Sequence, residues 1–435
     1  MFFKTAAAAV VGFALLYASV NGSGVFCPSS VGKQYFGYKQ VTGTNKYFYA
    51  TIEADQSPEK APTFLYLPGG PGQSSIGTIV TDIGPCTLKS DGKTLQANPF
   101  SWTRTANGIW IDAPGNTGFS AGPTETTVTN WVNDLFLAFT EILKERPSLN
   151  TEIYLMGASA DASSVSMLMQ IIDSRAAINV KGILIMSGMM GPLNIYRGSI
   201  EMAGKRRLVS AAALQKMVQL FSKCKAAVQS CQPATAGGEP NPDACQKATE
   251  VCNSATVPFV EDAGHSIYDL RVKPGEESKY FKTRPGNPGT FLNLPNIQRQ
   301  LGVSKKWVEL NQDVFAALVK YASYNTTFSV TNALDNGIKV LVIAGDQDYT
   351  TNAGGALGWM TRLSGRSAQY GAVLAAAKDE PIKVGSEVFG MMKSGKFPNK
   401  ATFTYIKVNN AGHMLVQNQP TGMLQVMQMF LRGEI

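Results

Sequence analysis

Histidine is almost missing from this 435-residue chain, which has two, His265 and His413. Any step that needs an imidazole near neutral pH must use one of them. Histidine and cysteine do not gather at metal-ligand spacing, and no glycine-rich loop carries the lysine of a phosphate site, so the sequence implies no metal or cofactor. Long apolar runs are equally scarce. After the stretch from Thr5 to about Tyr17, no segment approaches the roughly 18 uncharged residues that cross a bilayer. Charge is thin, at 16% of residues, and the net +8 is spread along the chain with its densest cluster at Lys205-Arg206-Arg207. Such a spread reads as a solvated face, and nucleic acid is not an expected partner.

What the chain has is apolar mass, 44% of residues, enough for one large core and far from the composition of disordered chains. The lysine at Lys4, the apolar run and the small residues Ala18 to Ser23 form a secretory signal over 1–23. This leaves a mature domain over 24–435 with no membrane attachment after cleavage. Six cysteines, an even number in an exported chain, favour three disulfides, with fifteen pairings formally possible. Cys224, Cys231, Cys245 and Cys252 are spaced by seven, fourteen and seven residues around a Pro/Gly-rich stretch, Gln232 to Asp243. On two antiparallel helices that spacing puts both cysteines of each helix on one face, and pairs Cys224 with Cys252 and Cys231 with Cys245. Cys27 then pairs with Cys86. Of two sequons, at Asn21 and Asn325, only Asn325 outlasts removal of the signal as a glycosylation site.

Several short apolar runs end abruptly in Gly, Pro, Ser or Asp, as buried strands do when they feed loops. They are Thr63 to Leu67, Gly108 to Ile111, Ile153 to Met156, Gly182 to Met186, Lys339 to Ala344 and Thr402 to Val408. Helical patterns lie between them, such as Trp131 to Lys144 and Ser163 to Ile172. This alternation predicts an α/β fold with a mostly parallel central sheet and helices on both faces. The segment from about 191 to 295 breaks the alternation with helical pieces and four of the cysteines, and is expected to be a helical, disulfide-stapled cap inserted over the sheet. Trp102, Trp110 and Phe119 are expected in the core.

In such a sheet reactive groups gather at the carboxyl ends of the strands. A serine hydroxyl is a poor nucleophile unless a base takes its proton, and the base needs an acceptor to hold its tautomer. Ser159 follows a strand and Gly157 and precedes a helix, the setting of a nucleophile elbow. Asp348 and His413 follow later strands in the chain order Ser, Asp, His of α/β-hydrolases. Asp346 shapes its own turn, and His265 reads as a surface histidine.

These segments resemble the serine carboxypeptidase family of the α/β-hydrolase superfamily along nearly the whole mature chain. Leu67-Pro-Gly-Gly-Pro-Gly-Gln-Ser-Ser75 resembles the family's Leu-Asn-Gly-Gly-Pro-Gly-Cys-Ser-Ser, and Asn98-Pro-Phe-Ser-Trp102 its Asn-Pro-Tyr-Ser-Trp. Asp112-Ala-Pro-Gly-Asn-Thr-Gly-Phe-Ser120, Tyr268-Asp-Leu-Arg271, Leu292-Asn-Leu-Pro295, Gly345-Asp-Gln-Asp348 and Gly412-His-Met414 match further family motifs. The cysteine spacing is similar to the cap of fungal vacuolar members. The resemblance implies an acyl-enzyme mechanism on peptide substrates with Ser159, Asp348 and His413 as the triad. It also implies an oxyanion hole of the Gly70 and Ala160 amides, and a secreted, vacuolar or lysosomal location.

At the substrate end the chain departs from that pattern. The family motif Gly-Glu-Ser-Tyr-Ala-Gly reads Gly157-Ala-Ser-Ala-Asp-Ala162 here. The resemblance implies that the substrate carboxylate is held beside Gly69 by an Asn and a pair of acids. Pro68 replaces the Asn, Ala158 one acid, and the shorter Asp82 stands for the other. Gln73 replaces a disulfide cysteine. Three outcomes are therefore open: a carboxypeptidase-like hydrolase with weakened demand for a free carboxylate and a weaker preference for acid pH, an esterase or acyltransferase with the same triad, or a silent binding protein. In the last case Asp161 would repel the oxyanion or distort the elbow.

Overall fold

A computed structural model describes residues 25–283 and 285–435. The signal at 1–23 and the sequon at Asn21 lie outside the described residues. The strands are β1 (Gln34–Gln40), β2 (Lys46–Ile52), β3 (Thr63–Leu67), β4 (Cys86–Leu88), β5 (Leu95–Ala97), β6 (Asn107–Ile111), β7 (Ile153–Ala158), β8 (Val180–Met186), β9 (Lys339–Gly345), β10 (Glu380–Val384), β11 (Glu387–Lys396) and β12 (Thr402–Val408). One ten-stranded sheet has the order β1-β2-β6-β3-β7-β8-β9-β12-β11-β10, and β4 pairs with β5 apart from it. Strands β6, β3, β7, β8, β9 and β12 are parallel. Antiparallel neighbours flank them, β1 and β2 on one side, β10 and β11 on the other.

The central strands are mostly apolar because both faces are covered. Leu65, Ile153, Leu155, Ile183, Ile185, Val340 and Val342 point to one face, where Leu135, Phe139, Val165 and Leu168 of the helices Val128–Glu145 and Asp161–Arg175 meet them. The alternate residues Phe64, Tyr66, Tyr154, Met156, Leu184, Met186, Leu341 and Ile343 point the other way, against Met423, Val426 and Phe430 of Pro420–Leu431. Two periods thus interlock, 2.0 along the strands and 3.6 along the helices. The expected core residues Trp102, Trp110 and Phe119 are all buried.

Between β8 and β9 the chain makes a helical excursion that includes the long antiparallel pair Ala211–Cys231 and Pro242–Ser254. Disulfides Cys224–Cys252 and Cys231–Cys245 staple this pair, and Cys27–Cys86 ties the start of the described chain to β4. The Thr249 hydroxyl donates to the Lys320 carbonyl and is hydrogen-bonded to the Ser323 hydroxyl, which fastens the pair to the 3-10 turn Val319–Ser323. Among the described residues no helix is long and apolar enough to cross a membrane. The side chain of Asn325 is on the surface.

Candidate active site

Strand β7 stops at Ala158, and Ser159 turns the chain into the helix Asp161–Arg175 with a φ of 52°, a left-handed conformation that an L-residue holds only when its surroundings enforce it. Two bonds enforce it: Ser159 N–H donates to the Met186 carbonyl at 2.9 Å, and Met189 N–H donates to the Ser159 carbonyl at 3.2 Å. The loop after β3 lies against this turn. Gly69 has φ 111°, and a Cβ there would stand 2.7 Å from the Ser159 Cβ, so only glycine lets loop and elbow touch. Among the described residues, the Gly70 and Ala160 N–H groups donate to no acceptor in the protein.

Asp348, just past β9, is fully buried. Its Oδ2 accepts the His413 Nδ1 at 2.9 Å and the Thr351 hydroxyl at 2.5 Å, and its Oδ1 accepts the Thr351 N–H at 3.0 Å. The acceptor is thereby fixed and the outer ring nitrogen of His413 is left for chemistry. The Tyr268-Asp-Leu-Arg271 segment holds the histidine loop. His413 N–H donates to the Tyr268 carbonyl at 2.8 Å, and the two rings lie 5.3 Å apart. Arg271 grips Asp269 with two nitrogens and donates to the Asn410 carbonyl. His265 stands apart, its Nδ1 bonded to the Leu270 carbonyl.

Ser159 lies where two chambers meet. The outer one, about 780 Å³, also holds His413, Pro68, Ala158, Asp82, Tyr66, Glu309 and Gln417. The inner one, about 260 Å³, holds Ala160 with an apolar set that includes Trp131, Met167, Met189, Phe315, Leu318 and Tyr321. Gly70, Tyr268 and Phe315 belong to both.

Asp82 has a partner after all. The Gln417 amide Nε2 donates to its Oδ1 at 2.8 Å. Burial pushes the Asp82 carboxyl up to about 6, against the pull of its hydrogen bonds and with a further push from the charge of Glu309. Glu309, on the rim, is itself raised by desolvation. The Gln417 Oε1 is buried and accepts nothing.

The Asp161 carboxyl is buried and bonded away from both chambers. It lines neither chamber. Its Oδ2 accepts the Gly69 N–H at 2.8 Å and its Oδ1 accepts the Ser164 hydroxyl at 2.9 Å, so the carboxyl ties the Gly69-Gly70 loop to the helix behind Ser159. Burial raises it to about 7 despite both bonds. Thr351, Gln417 and the latch role of Asp161 carry no local signal in the sequence, since their partners lie elsewhere in the chain. Among the described residues no cluster could hold a metal ion.

A family model described as serine carboxypeptidase matches residues 26–433. Carboxypeptidase Y homolog A of Arthroderma otae is 27% identical over 92% of this chain and 75% of its own length. Serine carboxypeptidase-like 47 of Arabidopsis thaliana is 28% identical over 92% of this chain and 79% of its own. The crystal structure of Kex1(delta)p, a prohormone-processing carboxypeptidase from Saccharomyces cerevisiae, has a similar fold. Its TM-score is 0.74 at 18% identity, with 93% of this chain and 92% of that one covered.

Proposed function

The chain belongs to the serine carboxypeptidase family, and from that premise we propose that it is a working hydrolase of peptides and esters with Ser159 as nucleophile. His413 is the general base and then the general acid, and Asp348 is the group that orients it. The observation that carries this reading is the 2.9 Å bond from His413 Nδ1 to the buried Asp348, with the imidazole and Ser159 opening on one cavity. The Ser159 hydroxyl attacks the acyl carbon and its proton passes to His413. The Gly70 and Ala160 amides receive the oxyanion. His413 returns the proton to the leaving nitrogen or oxygen, and water releases the acyl group by the same steps in reverse.

The proton donor fixes which chamber takes which half of the substrate. His413 lines only the outer chamber, so the leaving group departs there, and the acyl side enters the inner apolar chamber. Pro68 has no N–H and Ala158 no polar atom, so the demand for a free C-terminal carboxylate is weakened and esters are accepted. Three disulfides and a surface sequon at Asn325 fit a protein of the secretory route, secreted or vacuolar. A fluorophosphonate probe tests the assignment. Labelling of the folded protein that disappears in Ser159→Ala supports it, and absence of labelling in the parent means a silent triad and a binding protein.

A further inference from the structure

We propose that the outer chamber selects a leaving group that carries a positive charge and no free carboxylate, such as a basic amino acid whose own carboxyl is blocked. This rests on the proposed hydrolysis, because it is the proton from His413 that assigns the chamber to the leaving group. Among the described residues lining it, Asp82 and Glu309 are acids and none is lysine or arginine. The two lie close enough for the Glu309 charge to act on Asp82, and a cation between them relieves that repulsion.

The hydrogen-bond inventory points the same way. Pro68 and Ala158 offer a substrate carboxylate no donor. The Asp82 and Gln417 pair spends a donor on itself, through Nε2 to Oδ1 at 2.8 Å, while Gln417 Oε1 is left without one. With the Asp82 and Glu309 carboxylates in its lining, the chamber offers acceptors that suit an ammonium, guanidinium or primary amide better than a carboxylate. An anionic leaving group meets the Asp82 and Glu309 carboxylates in the lining, where the same Coulomb interaction that favours a cation works against it.

Four peptides with one hydrophobic acyl residue and different leaving groups test this: leucine amide, leucine with a free carboxylate, lysine amide and glutamate amide. p-Nitrophenyl butyrate reports the triad alone. Near neutral pH and at low salt, kcat/KM for the lysine amide is expected to exceed that for the leucine amide on the order of tenfold, equal to about 1.4 kcal/mol. The leucine acid and the glutamate amide are expected to fall below the leucine amide. Glu309→Gln and, separately, high salt both shrink the ratio of lysine amide to glutamate amide. Each ratio is taken within one preparation, so a partly folded variant does not disturb it. Ester turnover with a preference for the free carboxylate, or with equal rates for the lysine and glutamate amides, overturns the inference and leaves the hydrolase standing. No turnover of the ester or of any peptide overturns both.

Discussion

Replacing Asp161 by Asn separates charge from shape at the latch between loop and elbow. The Asn carbonyl oxygen can still accept the Gly69 N–H, and its amide can donate to Ser164, so both contacts of the carboxyl survive. What disappears is titration. The folded carboxyl is raised from 3.8 to about 7, and every tenfold change in its acidity corresponds to about 1.4 kcal/mol. A carboxyl raised on folding binds its proton more readily in the folded state. Its stabilising effect is thus fully present below the unfolded value and is lost as pH rises through the folded one. The parent should therefore lose stability relative to Asp161→Asn from about pH 4 upward, by up to about 4 kcal/mol above pH 7. Urea denaturation at a series of pH values measures this difference. Asp161→Ala is the contrasting perturbation, because it leaves the buried Gly69 N–H without an acceptor, at about 1–3 kcal/mol, and frees the loop that carries the Gly70 amide. Its kcat should fall while KM changes little, and Asn should restore kcat. A parent-minus-Asn difference that is flat from about pH 4.5 to 8.5, or an Ala variant with parental kcat, would refute the latch.

Three further outcomes follow from single contacts. Thr351→Val removes a hydroxyl that donates to Asp348 beside the imidazole, and should lower kcat by about tenfold or more with KM nearly unchanged, as expected for a hydrogen bond to a charged group. Gln417→Leu removes the donor that holds the Asp82 carboxyl down at about 6. Asp82 then titrates higher, and the variant should be less stable than the parent by about 1–3 kcal/mol above pH 6, with the gap closing in acid where Asp82 is protonated in both. Replacing Cys224 and Cys252, which are 28 residues apart, by Ser should cost about 3 kcal/mol in chemical denaturation.

The strands that carry the site are legible because burial on both faces leaves a mostly apolar run, as in Thr63–Leu67 and Ile153–Ala158, and because a polar residue or glycine ends each run where the reactive side chain follows. The flanking strands are not. Gln34–Gln40 and Glu387–Lys396 mix half-buried and polar positions, since a strand at or near the sheet's edge has one covered face, and the local pattern fades. The contrast repeats inside the site. Ser159, Asp348 and His413 announce themselves by position after a strand. Gln417 and Asp82 are 335 residues apart, and Thr351 and His413 are 62 apart, so their contacts exist only once the sheet has formed.

The four unusual residues around the elbow are one arrangement, not four independent losses. Asp161 is buried and Asp82 half-buried in the chamber wall, and desolvation raises them to about 7 and about 6. A further carboxyl at position 158, in the wall of the outer chamber with Asp82, would disfavour ionisation of its acidic neighbours, because each ionised acid disfavours the next in a space with little water. Alanine there leaves room for the acid two residues beyond the nucleophile. That acid holds the Gly69 N–H, which lies next to Pro68, a residue with no N–H of its own. Gln417 then supplies Asp82 with a neutral donor through Nε2. With Pro68 and Ala158 lacking polar side chains and Gln417 serving Asp82, the Asp161 carboxyl braces the loop that carries the Gly70 amide, while the bond between His413 and Asp348 stays intact.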